Sequence, residues 1–166
     1  MPRTISILGS TGSVGRSTLA LLDAAPPGAF TVEALVANRD AATLAAQARK
    51  HAARFAAVAD PAAYPALRQA LAGTDITLAA GPDAVVEAAA RPADWTMAAV
   101  VGAAGLRSTL AALARGGTLA LANKESLVCA ADLVLEAAAR GGATLLPVDS
   151  EHNAIFQCLH GQDRAG

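Results

Sequence analysis

The stretch Ile5-Ser-Ile-Leu-Gly-Ser-Thr-Gly-Ser-Val-Gly15 limits what this chain can fold into more than any other. A short apolar run breaks into a turn with glycines at 9, 12 and 15. It continues as helix-like sequence over 17–25, which Pro26-Pro27-Gly28 stops. The order is strand, phosphate loop, helix. In such a turn one glycine makes the tight exit from the strand, a second lets backbone approach a pyrophosphate, and a third lets helix pack on strand. The anion is held by backbone N–H groups and the positive end of the helix dipole, with the Thr11 and Ser13 hydroxyls as further donors. A triphosphate loop does not fit, because residue 10 is serine and residue 16 arginine where that motif needs glycine and lysine. The three-apart glycine spacing is a variant of the dinucleotide fingerprint, in the strand–turn–helix context that fingerprint requires.

The rest of the chain keeps the same alternation. Strands are expected over 30–37, 55–59, 76–79, 96–101, 118–122 and 144–148, with helices over 41–51, 64–71, 83–90, 108–114 and 126–140 between them. With the opening run this makes seven strands joined through helices by short connections. The reading is an α/β Rossmann-like, doubly wound, mostly parallel sheet with helices on both faces. A composition of 54% hydrophobic but only 3% aromatic residues suits it, since a core of Ala, Leu and Val serves strands covered on both sides. The net charge of −1 and the lack of a basic stripe speak against nucleic acid as a partner. Cys129 and Cys158 stand apart and read as reduced structural thiols. The longest apolar stretch, 97–106, is about half a bilayer crossing, and Met1-Pro-Arg-Thr leaves no room for an apolar leader, so a soluble cytoplasmic protein is expected.

The strand over 30–37 ends in Asn38-Arg39 with no acid at its tip. Glu33 lies in its interior, and Asp40 is placed to cap the helix starting at Ala41. An acid at that tip would accept from the ribose 2′-hydroxyl of NAD, whereas an arginine accommodates the 2′-phosphate of NADP. NADP is therefore expected, with Arg39 as the phosphate partner. His51, beside Arg49, Lys50 and Arg54, reads as a solvated helix end.

Ligands of such sheets sit outside the carboxyl ends of strands, and three further strand ends draw notice. The fifth runs into Gly102-Ala-Ala-Gly105, the sixth into Asn123-Lys124-Glu125, and the seventh into Pro147-Val-Asp-Ser-Glu-His-Asn153. Asp149 and Glu151, two residues apart past a buried strand, point together if the chain is extended and would chelate a hard divalent cation, Mg²⁺ or Mn²⁺. All these groups are expected on one edge of the sheet, beside the nicotinamide end of the cofactor.

The runs Leu8-Gly-Ser-Thr-Gly-Ser-Val-Gly15, Val101-Gly-Ala-Ala-Gly-Leu106, Leu121-Ala-Asn-Lys-Glu-Ser-Leu-Val128 and Leu146-Pro-Val-Asp-Ser-Glu-His-Asn-Ala-Ile-Phe-Gln157 together resemble the 1-deoxy-D-xylulose 5-phosphate reductoisomerase family over nearly the whole chain. The resemblance implies that Thr11, Gly12, Ser13 and Val14 line the NADPH pyrophosphate, Asn38 and Arg39 the adenosine side, and Asn123 and Glu125 the nicotinamide half. It implies catalytic roles for Lys124 and Glu151, substrate contacts from Lys124, Ser150 and Glu151, and a metal held by Asp149 and Glu151. The implied reaction is a metal-assisted skeleton rearrangement of a phosphorylated ketose followed by reduction from NADPH, in non-mevalonate isoprenoid synthesis, by a protein whose full-length form is a homodimer. Residues 1–148 would then be the NADP-binding domain and 149–166 the start of the metal and substrate domain. The third metal carboxylate, the phosphate pocket and the lid of the family are expected in sequence beyond 166, so the chain is expected to be inactive alone. Family members often carry Gly and Asn where this chain has Asn38 and Asp40, and proline where it has Ser108. Two rival readings remain: a semialdehyde-type NADP dehydrogenase, which needs a cysteine at a strand-end turn, and a non-catalytic NADP-binding module.

Overall fold

Seven apolar runs pair side by side because each is too short and too apolar to be covered any other way than by neighbours and by helices on both faces. The computed structural model describes residues 1–122 and 124–148. The strands are β1 (Arg3–Leu8), β2 (Phe30–Ala37), β3 (Phe55–Val58), β4 (Thr77–Ala80), β5 (Trp95–Ala98), β6 (Thr118–Leu121) and β7 (Thr144–Pro147). They form one sheet in the order β4-β3-β2-β1-β5-β6-β7. Every pairing is parallel. The expected "mostly parallel" sheet is thus parallel throughout. The chain winds outward from β1 to β4, then returns to β5 on the other side of β1, so the sheet has its topological switch between β1 and β5.

The helices are α1 (Ser13–Ala24), α2 (Ala41–Lys50), α3 (Tyr64–Ala70), α4 (Pro82–Ala90), α5 (Gly105–Arg115) and α6 (Lys124–Gly141), with a 3-10 turn at Pro61–Ala63 before α3. They bury two separate apolar layers. One joins Leu8, Val36 and Phe55 to α4, α5 and α6 through Val85, Ala88, Leu113 and Val134. The other joins Ile5, Ile7 and Val58 to α1, α2 and α3 through Leu19, Leu44, Ala48 and Leu67. The carboxylate of Asp40 accepts from the Thr43 amide at 3.0 Å, so α2 starts as its sequence predicts, and that bond holds the Asp40 carboxyl below its ordinary range.

Three boundaries differ from expectation. β5 ends at Ala98 and α5 begins at Gly105, so residues 99–104 leave the sheet early and form a wall of their own. α5 has Ala104 as N-cap with no side-chain bond to it, and therefore carries no polar start signal in the sequence. α6 begins at Lys124 and kinks at Ala130, so Lys124 and Glu125 belong to its first turn rather than to the loop before it. His51 does end α2, but it is not solvated: its side chain is only 12% exposed, 3.8 Å from Asp23, and burial holds its imidazole below the ordinary value.

Candidate functional site

The carboxyl ends of all seven strands lie along one edge of the sheet, and there the glycine loop meets the strand tips. Gly9 leaves β1 with φ of 92°. A Cβ on it would stand 2.6 Å from the Ala99 carbonyl oxygen, so the exit from the strand admits glycine alone. Gly15 sits in the first turn of α1, where a Cβ would collide with the Gly9 carbonyl and the Ser10 backbone. Helix and strand are packed that closely. Gly12 is different. Its backbone is extended, with φ −75° and ψ 173°, and a Cβ would meet only the Gly9 oxygen at 3.4 Å, an ordinary contact. Nothing in the protein itself requires glycine at 12.

What Gly12 faces is a cleft of about 340 Å³, lined with Gly9 and Thr11 from the same loop. Its second wall is the end of β2 and the residue after β3: Val36, Ala37, Asn38 and Ala59. The third comes from the start of α4, with Pro82, Val85 and Val86, and from the segment 99–108, with Ala99, Val100, Val101, Ala104, Arg107 and Ser108. The lining is mostly apolar, with Thr11, Asn38, Arg107 and Ser108 as its polar side chains, as a site for a planar base needs. Arg107 is paired with Asp83 at 2.9 Å, and Ser108 donates to the Gly105 carbonyl at 3.0 Å. At the mouth, Gly12 caps α1 with no side-chain bond to the helix, and Arg16 is the first residue whose N–H turns back, to the Gly12 carbonyl at 2.9 Å. The N–H groups of the first turn therefore point to the mouth with the positive end of the helix dipole behind them.

The structure brings together some of the residues singled out by the sequence and separates others. Thr11, Gly12 and Asn38 line the cleft, and Ser13 and Val14 open α1 beside it. Arg39 is next to Asn38 but does not line the cleft; it is 78% exposed, and its Nε donates to Asp60 Oδ2 at 2.8 Å. Asp60 also caps the 3-10 turn, accepting from the Ala62 amide at 2.9 Å. The registers set Leu8 beside Ala98, Ala98 beside Leu121 and Leu121 beside Pro147. At about 4.8 Å per strand, the β7 tip is roughly 14 Å from the β1 tip along the same edge. Glu125, exposed in the first turn of α6, lies on that stretch, as does the backbone of Lys124. Asn123, Asp149, Ser150 and Glu151 lie outside the described residues, as does Cys158. Among the described residues, no group of three or more His, Cys, Asp or Glu could hold a metal ion.

Ala104, within the Gly102–Gly105 run singled out by the sequence, does line the cleft, whereas the sequence reading missed the α4 wall and the roles of residues 99–101 and 107. One signal was available: Gly81-Pro82, a helix start with proline at its first position, directly after β4 at this edge. Cys129 lies within α6 and is exposed, not at a strand-end turn, so the dehydrogenase reading lacks its nucleophile among the described residues. No helix among the described residues is long and apolar enough to cross a membrane.

Comparison with known proteins places this arrangement. A family model for 1-deoxy-D-xylulose 5-phosphate reductoisomerase matches residues 5–131. A reductoisomerase of that name from Rhodopseudomonas palustris (strain BisB18) is 59% identical over 162 residues, which are 98% of this chain and 40% of the relative. One from Rhodospirillum centenum is likewise 59% identical over 162 residues. Among solved structures, the Zymomonas mobilis reductoisomerase in complex with NADPH superposes with a TM-score of 0.92 at 55% identity, covering 95% of this chain and 41% of the other. A reductoisomerase in complex with NADPH, fosmidomycin and magnesium superposes with a TM-score of 0.88 at 43% identity, covering 94% of this chain and 38% of the other. The chain thus spans 40% of the length of the curated relatives it matches.

Proposed function

The chain belongs to the 1-deoxy-D-xylulose 5-phosphate reductoisomerase family, and from that premise we propose that it is the NADPH-binding part of a divalent-metal-dependent reductoisomerase. The observation that carries the cofactor half of this reading is Gly12: the position is glycine although no protein atom demands it, and it faces a cleft at the uncapped start of α1. A pyrophosphate fits there against the N–H groups of Thr11, Ser13 and Val14, and the adenine fits between α4 and residues 99–104. Asn38 serves the ribose and Arg39 the 2′-phosphate. A guanidinium has five N–H donors, so the bond to Asp60 steadies Arg39 without exhausting it.

In this reading the cofactor runs along the edge toward α6, where Asn123 and Glu125 hold its nicotinamide half. Lys124, Ser150 and Glu151 bind a phosphorylated ketose, and Asp149 with Glu151 hold Mg²⁺ or Mn²⁺. The metal supplies Lewis acidity for rearranging the ketose skeleton and NADPH supplies hydride to the branched aldehyde that results. Lys124 is the group that neutralises developing oxyanion charge and fixes the substrate hydroxyls. The complete enzyme is a cytoplasmic homodimer that makes 2-C-methyl-D-erythritol 4-phosphate for non-mevalonate isoprenoid synthesis. These 166 residues are expected to bind NADPH without sustaining turnover, because their two metal carboxylates alone hold the ion weakly. An NADPH-oxidation assay with Mn²⁺ and 1-deoxy-D-xylulose 5-phosphate tests this. Sustained oxidation by these residues would overturn the division of labour. Turnover after fusion to the remaining 60% or so of a relative, abolished by Glu151→Gln, would support the assignment of the chemistry.

A further inference from the structure

Helix α2 presents an apolar face to the sheet, with Ala41, Leu44, Ala45 and Ala48 buried, yet Gln47 lies next to them and turns its amide inward. Its Nε2 donates to the carbonyl oxygen of Ser10, in the middle of the glycine loop, at 3.0 Å. Ser10 is thereby held from two sides, since its own N–H, like that of Gly9, donates to the Val36 carbonyl at the end of β2, at 2.8 and 2.9 Å. The other half of the amide gains nothing: Gln47 Oε1 is buried with no partner, and so is the hydroxyl of Ser10, a residue with 0% exposure. A buried acceptor without a donor is unfavourable for folding, and an apolar side chain of the same shape would remove it. Such a side chain would, however, leave the Ser10 carbonyl without its donor, so what glutamine secures at this place is the setting of that carbonyl.

We infer that Gln47 is a positioning residue for the cofactor, fixing the Ser10 carbonyl so that the next peptide units present their N–H groups to the pyrophosphate. The inference rests on the cofactor reading given under the proposed function. Loop residues 11–14 follow Ser10 directly, and a rotated Ser10 peptide would re-aim the Thr11 N–H, which belongs to that same peptide unit. Because the pyrophosphate is common to NADPH and NADH, Gln47 acts on both cofactors alike and has no part in choosing between them. That separates it from Arg39, whose role is the choice.

The test is calorimetric titration of NADPH and NADH into the wild-type chain, Gln47→Leu and Gln47→Glu, with thermal melting of each. Leucine removes the donor and the orphan acceptor together. Glutamate keeps the size but sets an acceptor against the Ser10 carbonyl, which guards against a leucine variant that packs badly. The expected result is a loss of roughly tenfold in affinity for both cofactors in both variants, equivalent to about 1.4 kcal/mol. The NADPH-to-NADH ratio should stay within about twofold of wild type, and the melting temperature of Gln47→Leu should fall by no more than about 4 °C, since the Oε1 orphan is exchanged for an unpaired Ser10 carbonyl and one bond is lost. Unchanged affinity in both variants overturns the inference, as does a change in the ratio. If the wild-type chain binds neither cofactor, it is the cofactor reading itself that fails.

Discussion

The two edges of the sheet treat their polar groups in opposite ways. At the amino-terminal edge the groups partner one another. Glu33 is the extra residue where β2 slips register against β1 between Ile5 and Ser6, a bulge that turns its side chain inward. It is 4% exposed and is held by Arg91 at 2.7 Å and Arg54 at 3.2 Å, with the Arg91 guanidinium 4.8 Å above the Phe55 ring. Asp94 accepts from both the amide and hydroxyl of Thr4, and Arg115 donates to carbonyls of Ala89, Arg91 and Gly116 and to the Thr96 hydroxyl. Asp23 takes Lys50 at 2.7 Å. At the carboxyl edge, a helix start has no side-chain cap, a glycine lines the cleft, and a buried amide is half satisfied. The first edge is built to hold the fold together; the second leaves polar groups unpaired, as the proposed cofactor site requires. Even the ion pairs at the second edge, Arg39 with Asp60 and Arg107 with Asp83, are exposed and so contribute little to stability.

Substitutions on either side sharpen the contrast. The largest effect expected is at Gly12. Alanine there is compatible with the backbone and should leave the melting temperature unchanged or slightly raised, while its methyl group meets the pyrophosphate and weakens NADPH binding roughly a hundredfold, about 2.7 kcal/mol. Titration and melting on the same samples check both halves. Glu33→Ala is its mirror image. It takes the carboxylate from Arg54 and leaves Arg91 with only Glu87 at 3.6 Å; the two arginines are 61% and 28% exposed, so the loss should cost less than that of a fully buried pair. A destabilisation of roughly 2–3 kcal/mol, or about 5–10 °C in melting, is expected. NADPH affinity measured well below the transition should not move, and a tenfold loss there would break the division between the edges.

Next in size is Arg39→Ala, which should lower the preference for NADPH over NADH about tenfold, the loss of a hydrogen bond to a charged group, roughly 1.5 kcal/mol. Equal weakening of the two cofactors would take the 2′-phosphate away from Arg39. The smallest effect is one of pH. Burial depresses the His51 imidazole below 6.5 in the folded chain, against the opposing pull of Asp23. The unfolded chain therefore takes up this proton first. The stability involved is whole above about pH 6.5 and is lost as pH falls through the lower folded value. His51→Gln should flatten the stability profile in that window only. Asp23, Asp40 and Asp94 are held below 3.8 by bonds from Lys50, Thr43 and Thr4, so the loss they cause begins at lower pH. A slope that survives His51→Gln would assign it elsewhere.

Much of this was legible in the sequence where a local signal and a packing need coincide. The strand–loop–helix opening, the alternation after it and the Asp40 cap are such places, since a glycine spacing, an apolar period and a capping side chain each act within a few residues. Legibility failed where the cause is long-range. Residues 99–101 are as apolar as a strand, yet they leave the sheet to wall the cleft, and α5 starts without a polar cap to mark it. His51 stands among charges that suggest solvent, but its side chain is largely buried and 3.8 Å from Asp23 of α1. Nothing local in the sequence marks Gln47, because its partner is a backbone carbonyl 37 residues earlier.

Amide hydrogen exchange of the chain with and without NADPH tests the contrast between the edges most directly. The account predicts slowed exchange in the peptides that cover 9–16, 36–40 and 99–108, with the amides of Thr11, Ser13 and Val14 foremost. It predicts no change in those covering Thr4, Arg54 and 91–95. Protection at the amino-terminal edge, or a glycine loop that exchanges as fast with saturating NADPH as without it, would contradict it.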